Sequence, residues 1–303
     1  MAETRPILDL IAMLEAYDTD VECRTYLEEL RWPKGIACPR CNGTTISRIK
    51  ARRVFDCDGC RYQFSVTAGT LFHDSHLPLP KWFLALYLMC ESKKGISANQ
   101  LKRMLKVSYK TAWFLCHRIR AAMADVNAAQ LSGTVEVDES YIGGKRAGAG
   151  VGSGNRIHKS MVLAAIERGG NGRIRTAGKM QRNKEILHGF VTENVSDDAA
   201  NVYTDEVRGY IGIGDENTTH QAVNHSIKEY VRGEVHTNTV ESVFSLFKRS
   251  LVGSFHQISA KHLDRYLDEF SFRYNNRRNR MMFRDTLMRL CDGKALPYDK
   301  LTA

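Results

Sequence analysis

The sequence predicts an α/β protein: a mixed sheet flanked by helices, preceded by a small cysteine-built module and a helical segment. Three observations carry this expectation. Four strand-like runs lie between residues 134 and 205, with one helical run among them. Apolar residues recur at helical spacing on both sides of that region, over 79–125 and 238–291. Two Cys-x-x-Cys pairs fall within residues 38–60. At 303 residues the chain has room for two or three domains.

Residues 1–32 read as helical and acidic, ending at Trp32-Pro33. Beyond them, Cys38-Pro-Arg-Cys41 and Cys57-Asp-Gly-Cys60 are separated by fifteen residues. Four thiolates on two knuckles match tetrahedral Zn²⁺ in a closed, structural site. A segment this short generally needs such a staple. One structural zinc on Cys38, Cys41, Cys57 and Cys60 is therefore expected, in a ribbon spanning 36–70 whose strands carry Val54, Phe55, Tyr62 and Phe64. The alternative is a redox role for the pairs. His73 and His76 lie nearby, but four cysteines already fill the shell. Arg40, Arg48, Lys50, Arg52, Arg53 and Arg61 tilt the ribbon towards phosphate contact. The remaining cysteines, Cys23, Cys90, Cys116 and Cys291, are scattered in apolar surroundings and read as small core residues.

Residues 71–128 read as helical. Ser97 with Gln100 makes a helix start, Leu101 and Leu105 an apolar pair, and Val107-Ser108 a break before a second helix. Ala112, Cys116 and Ile119 are expected to face inward, with Tyr109, Lys110, Arg118 and Arg120 outward. Two short helices with a basic second member fit a helix-turn-helix, with Tyr109 and Lys110 as DNA contacts. A plain helical hairpin is the alternative.

The strand-like runs are Thr134–Ile142, Ser160–Glu167, Arg173–Met180 and Asn201–Asp205, with a helix expected over Arg182–Asn194 and a loop at Gly143–Gly154. Asp138 lies in the first run, Asp205 ends the last, and Glu241 opens a helical run. Each has an ordinary explanation singly, as strand surface, turn or capping partner. Lys248 follows Glu241 by seven positions, two helical turns or roughly 10 Å along one face. Glu136 shares a strand face with Asp138 by the period of two and is its rival.

The net charge is +10 with a pI near 9.2. Residues 1–30 hold eight acidic and two basic side chains, or −6, which leaves +16 on the rest. Such a surplus suits a polyanion partner. No apolar run approaches the roughly 18–20 residues of a membrane span, and no secretory leader is evident. A cytoplasmic, nucleoid-associated location is expected, with no membrane partner.

In these residues the chain resembles insertion-sequence transposases of the DDE superfamily, in the ISXO-like group with an N-terminal zinc ribbon. The marks are the two cysteine pairs; Gly69-Thr70 leading to Lys81-Trp82-Phe83; and Val137-Asp138-Glu139-Ser140-Tyr141-Ile142-Gly143-Gly144-Lys145. Further on come Tyr203-Thr204-Asp205, His236-Thr237-Asn238-Thr239-Val240-Glu241, Lys248-Arg249 and Phe272-Arg273-Tyr274-Asn275. The resemblance implies an RNase H-like core over 129–291, between a helical segment (1–35), the ribbon (36–70), the helix-turn-helix-like stretch (71–128) and a tail (292–303). It implies that Asp138, Asp205 and Glu241 hold two Mg²⁺ or Mn²⁺ ions for cleavage and strand transfer. Asn238, one turn before Glu241, is the other candidate for the third position, and otherwise a helix cap and DNA contact. Lys145, Lys248 and Arg249 are expected on phosphates, Lys248 nearest the scissile bond; Lys159 is a weaker candidate. The basic run Arg273, Arg277, Arg278 and Arg280 is either a backbone-binding helix end or a solvated face. The partners implied are terminal inverted repeats and target DNA, with at least a homodimer on DNA. A non-enzymatic regulator using only ribbon and helix-turn-helix is one alternative; an RNase H-like nuclease that cuts without joining is another.

Overall fold

The structure is a computed structural model; it describes residues 9–125, 128–143, 159–178, 183–206, 208–214 and 218–302. The chain divides into two compact units, residues 1–123 with 279–303, and residues 124–278.

The first unit opens with α1 (Leu10–Ala16) and α2 (Asp20–Arg31). Thr19 and Glu22 form a reciprocal capping box that starts α2. A three-stranded antiparallel sheet follows: β1 (Ile46–Ile49), β2 (Val54–Cys57) and β3 (Gln63–Phe64), in that order. Phe55 and Phe64 are buried, and Trp32 meets both rings edge-on at 5.5 and 5.9 Å. Then come α3 (Leu79–Glu91), α4 (Ala98–Leu105) and α5 (Tyr109–Met123). Ser97 caps α4 by accepting from the Gln100 amide, and Ser108 accepts from the Thr111 amide at the start of α5. Lys106 takes a left-handed conformation (φ 51°, ψ 56°) between the two helices.

The second unit contains a five-stranded sheet. Its strands are β4 (Thr134–Ile142), β5 (Ser160–Glu167), β6 (Gly172–Gly178), β7 (Asn201–Asp205) and β8 (Thr219–Val223), and α6 (Lys184–Asn194) crosses from β6 to β7. The order is β6-β5-β4-β7-β8; β4, β5 and β6 pair antiparallel, while β7 is parallel to β4 and β8 to β7. A short hairpin, β9 (Val231–Arg232) and β10 (Val235–His236), leads into α7 (Asn238–Ser250), and α8 (Leu263–Asn275) follows. The apolar run of β5 is buried on both faces: Met161, Leu163 and Ala165 pack with α6 residues Leu187, Phe190 and Val191. Val162, Ala164 and Ile166 pack with Val240, Val243, Phe244 and Phe247 of α7 and Leu267 of α8. This is why β5 lacks the alternation of a half-exposed strand.

Asn275 closes the edge of this sheet. Its side chain accepts from the Gly172 amide (2.8 Å) and donates to the Gly172 carbonyl (3.1 Å). A Cβ on Gly172 would lie 2.5 Å from Ile166 Cδ1, so a larger residue there would have to displace that side chain.

The last segment, α9 (Met282–Asp292) and α10 (Tyr298–Thr302), belongs to the first unit. The sequence division had run the catalytic segment to 291. Phe283 instead stacks near Tyr17, Phe83 and Tyr87 in an aromatic cluster. This return also corrects the exposure expected of α5. Arg118 is 5% and Arg120 1% exposed, not outward. The Arg118 guanidinium lies over Phe114 and donates to the Leu296 carbonyl, so its stem is buried with the head satisfied. Tyr109 and Lys110 do remain exposed, with the Lys110 ammonium over the Tyr298 ring at 4.3 Å. Cys23, Cys90, Cys116 and Cys291 are all buried, as expected, and desolvation pushes the Cys23 and Cys291 thiols up to about 12.

Candidate active site and zinc ribbon

In the ribbon, the four expected cysteines meet. Their sulfurs all lie within 4.8 Å of one another, with Cys38–Cys60 and Cys41–Cys57 at 3.6 Å. Four sulfurs about 2.3 Å from a tetrahedral Zn²⁺ would be separated by about 3.8 Å, so the thiols fit that ion. His73 is no part of the set; its Nδ1 accepts from the Gly69 amide. Much of the basic surface is already engaged: Arg48 pairs with Glu28 at 2.8 Å, Arg53 with Asp20 at 3.5 Å, and Arg40 covers the Tyr62 ring.

In the second unit, the parallel register of β4 and β7 pairs Glu136 with Tyr203. Carried two residues further, it sets Asp138, midway along β4, beside Asp205, the last residue of β7. The carboxyl end of a parallel strand such as β7 is where open α/β sheets place ligands. Carboxylate oxygens of Asp138, Glu139 and Asp205 lie within 4.8 Å of one another. Burial, then the charges of Glu139 and Asp205, push the Asp138 carboxyl up to about 8. The Glu139 amide donates to Asp138 Oδ1, and the buried Tyr210 hydroxyl donates to Glu139 Oε2, both at 2.8 Å. Crowded hard oxygens holding excess negative charge suit a divalent cation such as Mg²⁺ or Mn²⁺.

Glu139 was not foreseen as a member of this group. The period of two assigns it to the opposite strand face from Asp138, and no sequence signal marks Tyr210 as its partner. Glu241 stands outside the compact trio. Its Oε1 accepts from Thr237 Oγ1 at 3.0 Å and lies 3.9 Å from His225 Nε2, although its charge still reaches Asp138. Asn238, Glu241, Ser245 and Lys248 are all exposed and form one stripe along α7, opposite the buried Val240, Val243, Phe244 and Phe247. Arg249 is exposed next to it. Lys145 lies outside the described residues.

Glu136, the rival to Asp138, is fully buried and committed elsewhere. It accepts from the Thr239 and Val240 amides (2.7 and 3.0 Å), from Thr239 Oγ1 (2.8 Å) and from Arg168 Nε (2.7 Å). A carboxylate from β4 thus caps α7, satisfying orphan amides and the positive helix end. Asn238 is not the cap: Thr237 holds that position without a side-chain bond. Arg168 also donates to the His236 carbonyl, so the strand, the hairpin and the helix start are tied together. Removing one partner of a buried pair leaves an uncompensated charge. Arg168→Ala should therefore lower unfolding free energy by about 3 kcal/mol in urea titration of the full chain. A loss below about 1 kcal/mol for Arg168→Ala, the range of an exposed pair, would remove this account.

The basic run near the end of α8 is only partly available. Arg273 is buried and pairs with Glu269 at 3.3 Å, because it sits on the core face of the helix. Arg277 is exposed but donates to the Gly170 and Tyr274 carbonyls. Among the described residues, no helix is long and apolar enough to cross a membrane.

A carboxylate cluster on the sheet and a separate four-cysteine ribbon agree with what the comparisons find for each part. Residues 130–275 match the family model of an ISXO2-like transposase domain, and residues 18–63 match a transposase zinc-ribbon domain. The chain is also similar to the uncharacterized protein in transposable element ISH50 of Halobacterium salinarum. The two are 30% identical over 278 residues, 86% of this chain and 92% of that protein. The chain belongs to the ISXO2-like transposase family.

Proposed function

We propose that the protein is a DDE-type DNA transposase that cleaves the ends of an insertion sequence and joins their 3′-OH ends to target DNA by two-metal-ion phosphoryl transfer. The observation that carries this is Asp138 of β4 beside Asp205 at the end of the adjacent parallel β7, with α7 anchored to β4 by Glu136. The sheet order, with three antiparallel strands extended by two parallel ones, supports an RNase H-like core. Asp138 and Asp205, with Glu241, would hold Mg²⁺ or Mn²⁺; when bound, these ions activate the attacking oxygen and stabilise the leaving one. The chain's own side chains position the DNA. Lys248 holds a phosphate two turns along α7 from Glu241, with Arg249 and Asn238 flanking it. Tyr109 and Lys110 of α5 grip DNA elsewhere, as does Lys145. Cys38, Cys41, Cys57 and Cys60 bind one structural zinc. Joining two ends calls for at least a homodimer on DNA, acting at the nucleoid.

A second reading of the third carboxylate has its own support: Glu139, not Glu241, shares the compact cluster. The test incubates the full-length protein with Mg²⁺ or Mn²⁺ and duplex DNA carrying the terminal sequences that bound the gene. Glu241→Gln, Glu139→Gln and Asn238→Ala are compared. Loss of cleavage of about 100-fold or more in Glu241→Gln, with DNA binding retained, is expected. The same loss in Glu139→Gln alone moves the third position there, and in Asn238→Ala alone to Asn238. End binding without cleavage by the unmodified protein would leave the regulator reading.

A further inference from the structure

Beyond the carboxylates, the second unit contains a cleft of about 720 Å³ between the end of β4 and the end of α7. Its floor is apolar, with Ile142, Leu251 and Ile258 packed into the core below; Lys248, His256 and Gln257 stand at its edge. No carboxylate lines it among the described residues, although a dense acidic cluster lies three residues back along β4. Among its described lining residues, Lys248 supplies the one formal charge.

The wall of the cleft is irregular backbone. After Ser250 the helix widens into a π turn over Leu251–Phe255, and His256 follows at φ 58°, ψ −51°. That conformation lies outside the left-handed basin that non-glycine residues ordinarily reach. Single π turns and strained residues of this kind are retained mostly where a site needs them. Here they turn the chain so that Val252, 76% exposed, stands at the opening.

We propose that this cleft seats the one or two nucleotides that continue from the scissile phosphate. The inference rests on the transposase reading above. Tyr141 is three residues from Asp138, roughly 10 Å along a strand, and Lys248 is two helical turns from Glu241, also roughly 10 Å. Both walls therefore begin about one nucleotide beyond the reacting centre and run away from it together. An apolar floor takes the face of a base whatever its identity, and a cationic edge takes its phosphate. The volume falls within the range of about 300–1,000 Å³ that encloses small ligands, enough for a nucleotide. The cleft thus holds the strand by stacking and charge without selecting its sequence.

The test places 4-thiothymidine at the first or second nucleotide on either side of the cleavage point in duplex end DNA, irradiates the complex with full-length protein, and maps the cross-linked peptide. In parallel, cleavage kinetics are measured for Val252→Glu, which puts a negative charge at the opening of the cleft and, being exposed, leaves the core intact. Cross-links within residues 251–259 are expected, with KM for end DNA raised about 10-fold and kcat within about two-fold of the unmodified protein. Cross-links confined to other segments, or an unchanged KM, overturn the cleft while cleavage by the unmodified protein leaves the transposase reading standing. No cleavage by the unmodified protein overturns both.

Discussion

Replacing Asp138 by Asn is expected to lower strand cleavage by on the order of 1,000-fold and, in protein free of Mg²⁺ and Mn²⁺ at pH 8, to raise the melting temperature. The two effects share one cause. Asp138 is partly buried and crowded by Glu139 and Asp205, so its folded-state pKa rises to about 8, against about 3.9 in an unfolded chain. The native state therefore binds this proton more tightly than the unfolded one. The group's contribution is fully present below about pH 4 and is lost progressively as pH climbs through 8. Asn carries no charge and escapes that loss, so the variant melts several degrees higher at pH 8. Activity falls because the same carboxylate would bind the catalytic cation. Melting curves of both proteins between pH 5 and 9, zinc-loaded and without added Mg²⁺ or Mn²⁺, beside cleavage assays, check the pair of effects. A variant less stable than the unmodified protein at pH 8 would contradict the electrostatic account; one that still cleaves normally would remove Asp138 from the chemistry.

Loss of zinc should be the second large effect. The ribbon sheet has strands of only four, four and two residues, too short to stand on backbone pairing alone. A structural zinc on four thiolates contributes on the order of 10 kcal/mol to such a module. Cys57→Ser is expected to abolish one equivalent of bound zinc and to unfold the ribbon. Trp32, edge-on to Phe55 and Phe64, reports this directly. Its emission should shift to the red, a change absent in Trp32→Phe. Full zinc content or an unmoved spectrum in Cys57→Ser would show that another ligand set holds the metal.

Local rules were enough for several parts of this molecule. Two Cys-x-x-Cys knuckles bring their sulfurs together whatever surrounds them, and those sulfurs do meet. The strands Thr134–Ile142, Ser160–Glu167 and Asn201–Asp205 emerge with the bounds their apolar patterns predict. Ser97 and Ser108 start the two helices of the hairpin as their side-chain chemistry dictates. Thr219–Val223, with no comparable apolar run, went unseen; it is a strand because β7 offers it a parallel edge.

The arrangement of carboxylates was decided only by tertiary structure. Glu136 and Asp138 share a strand face, and the sequence holds nothing to separate a structural carboxylate from a chemical one. The separation comes from amides 103 and 104 positions away, at the start of α7, which claim Glu136. Glu139 joins the cluster because Asp205 and the Tyr210 hydroxyl converge on its stretch of β4, beside Asp138. Glu241 turns back towards Thr237 and His225 for the same kind of reason. Arg118 and Arg273 look like surface charge in sequence but are buried, since whether a long cationic side chain meets water depends on which distant segment covers it. Spacing along the chain therefore determined the elements and the zinc ligands, whose partners are near in sequence. The partners of buried Glu136 and Arg118 were left to the packing of distant segments, because a charge removed from water is stable only beside whatever the fold brings to it.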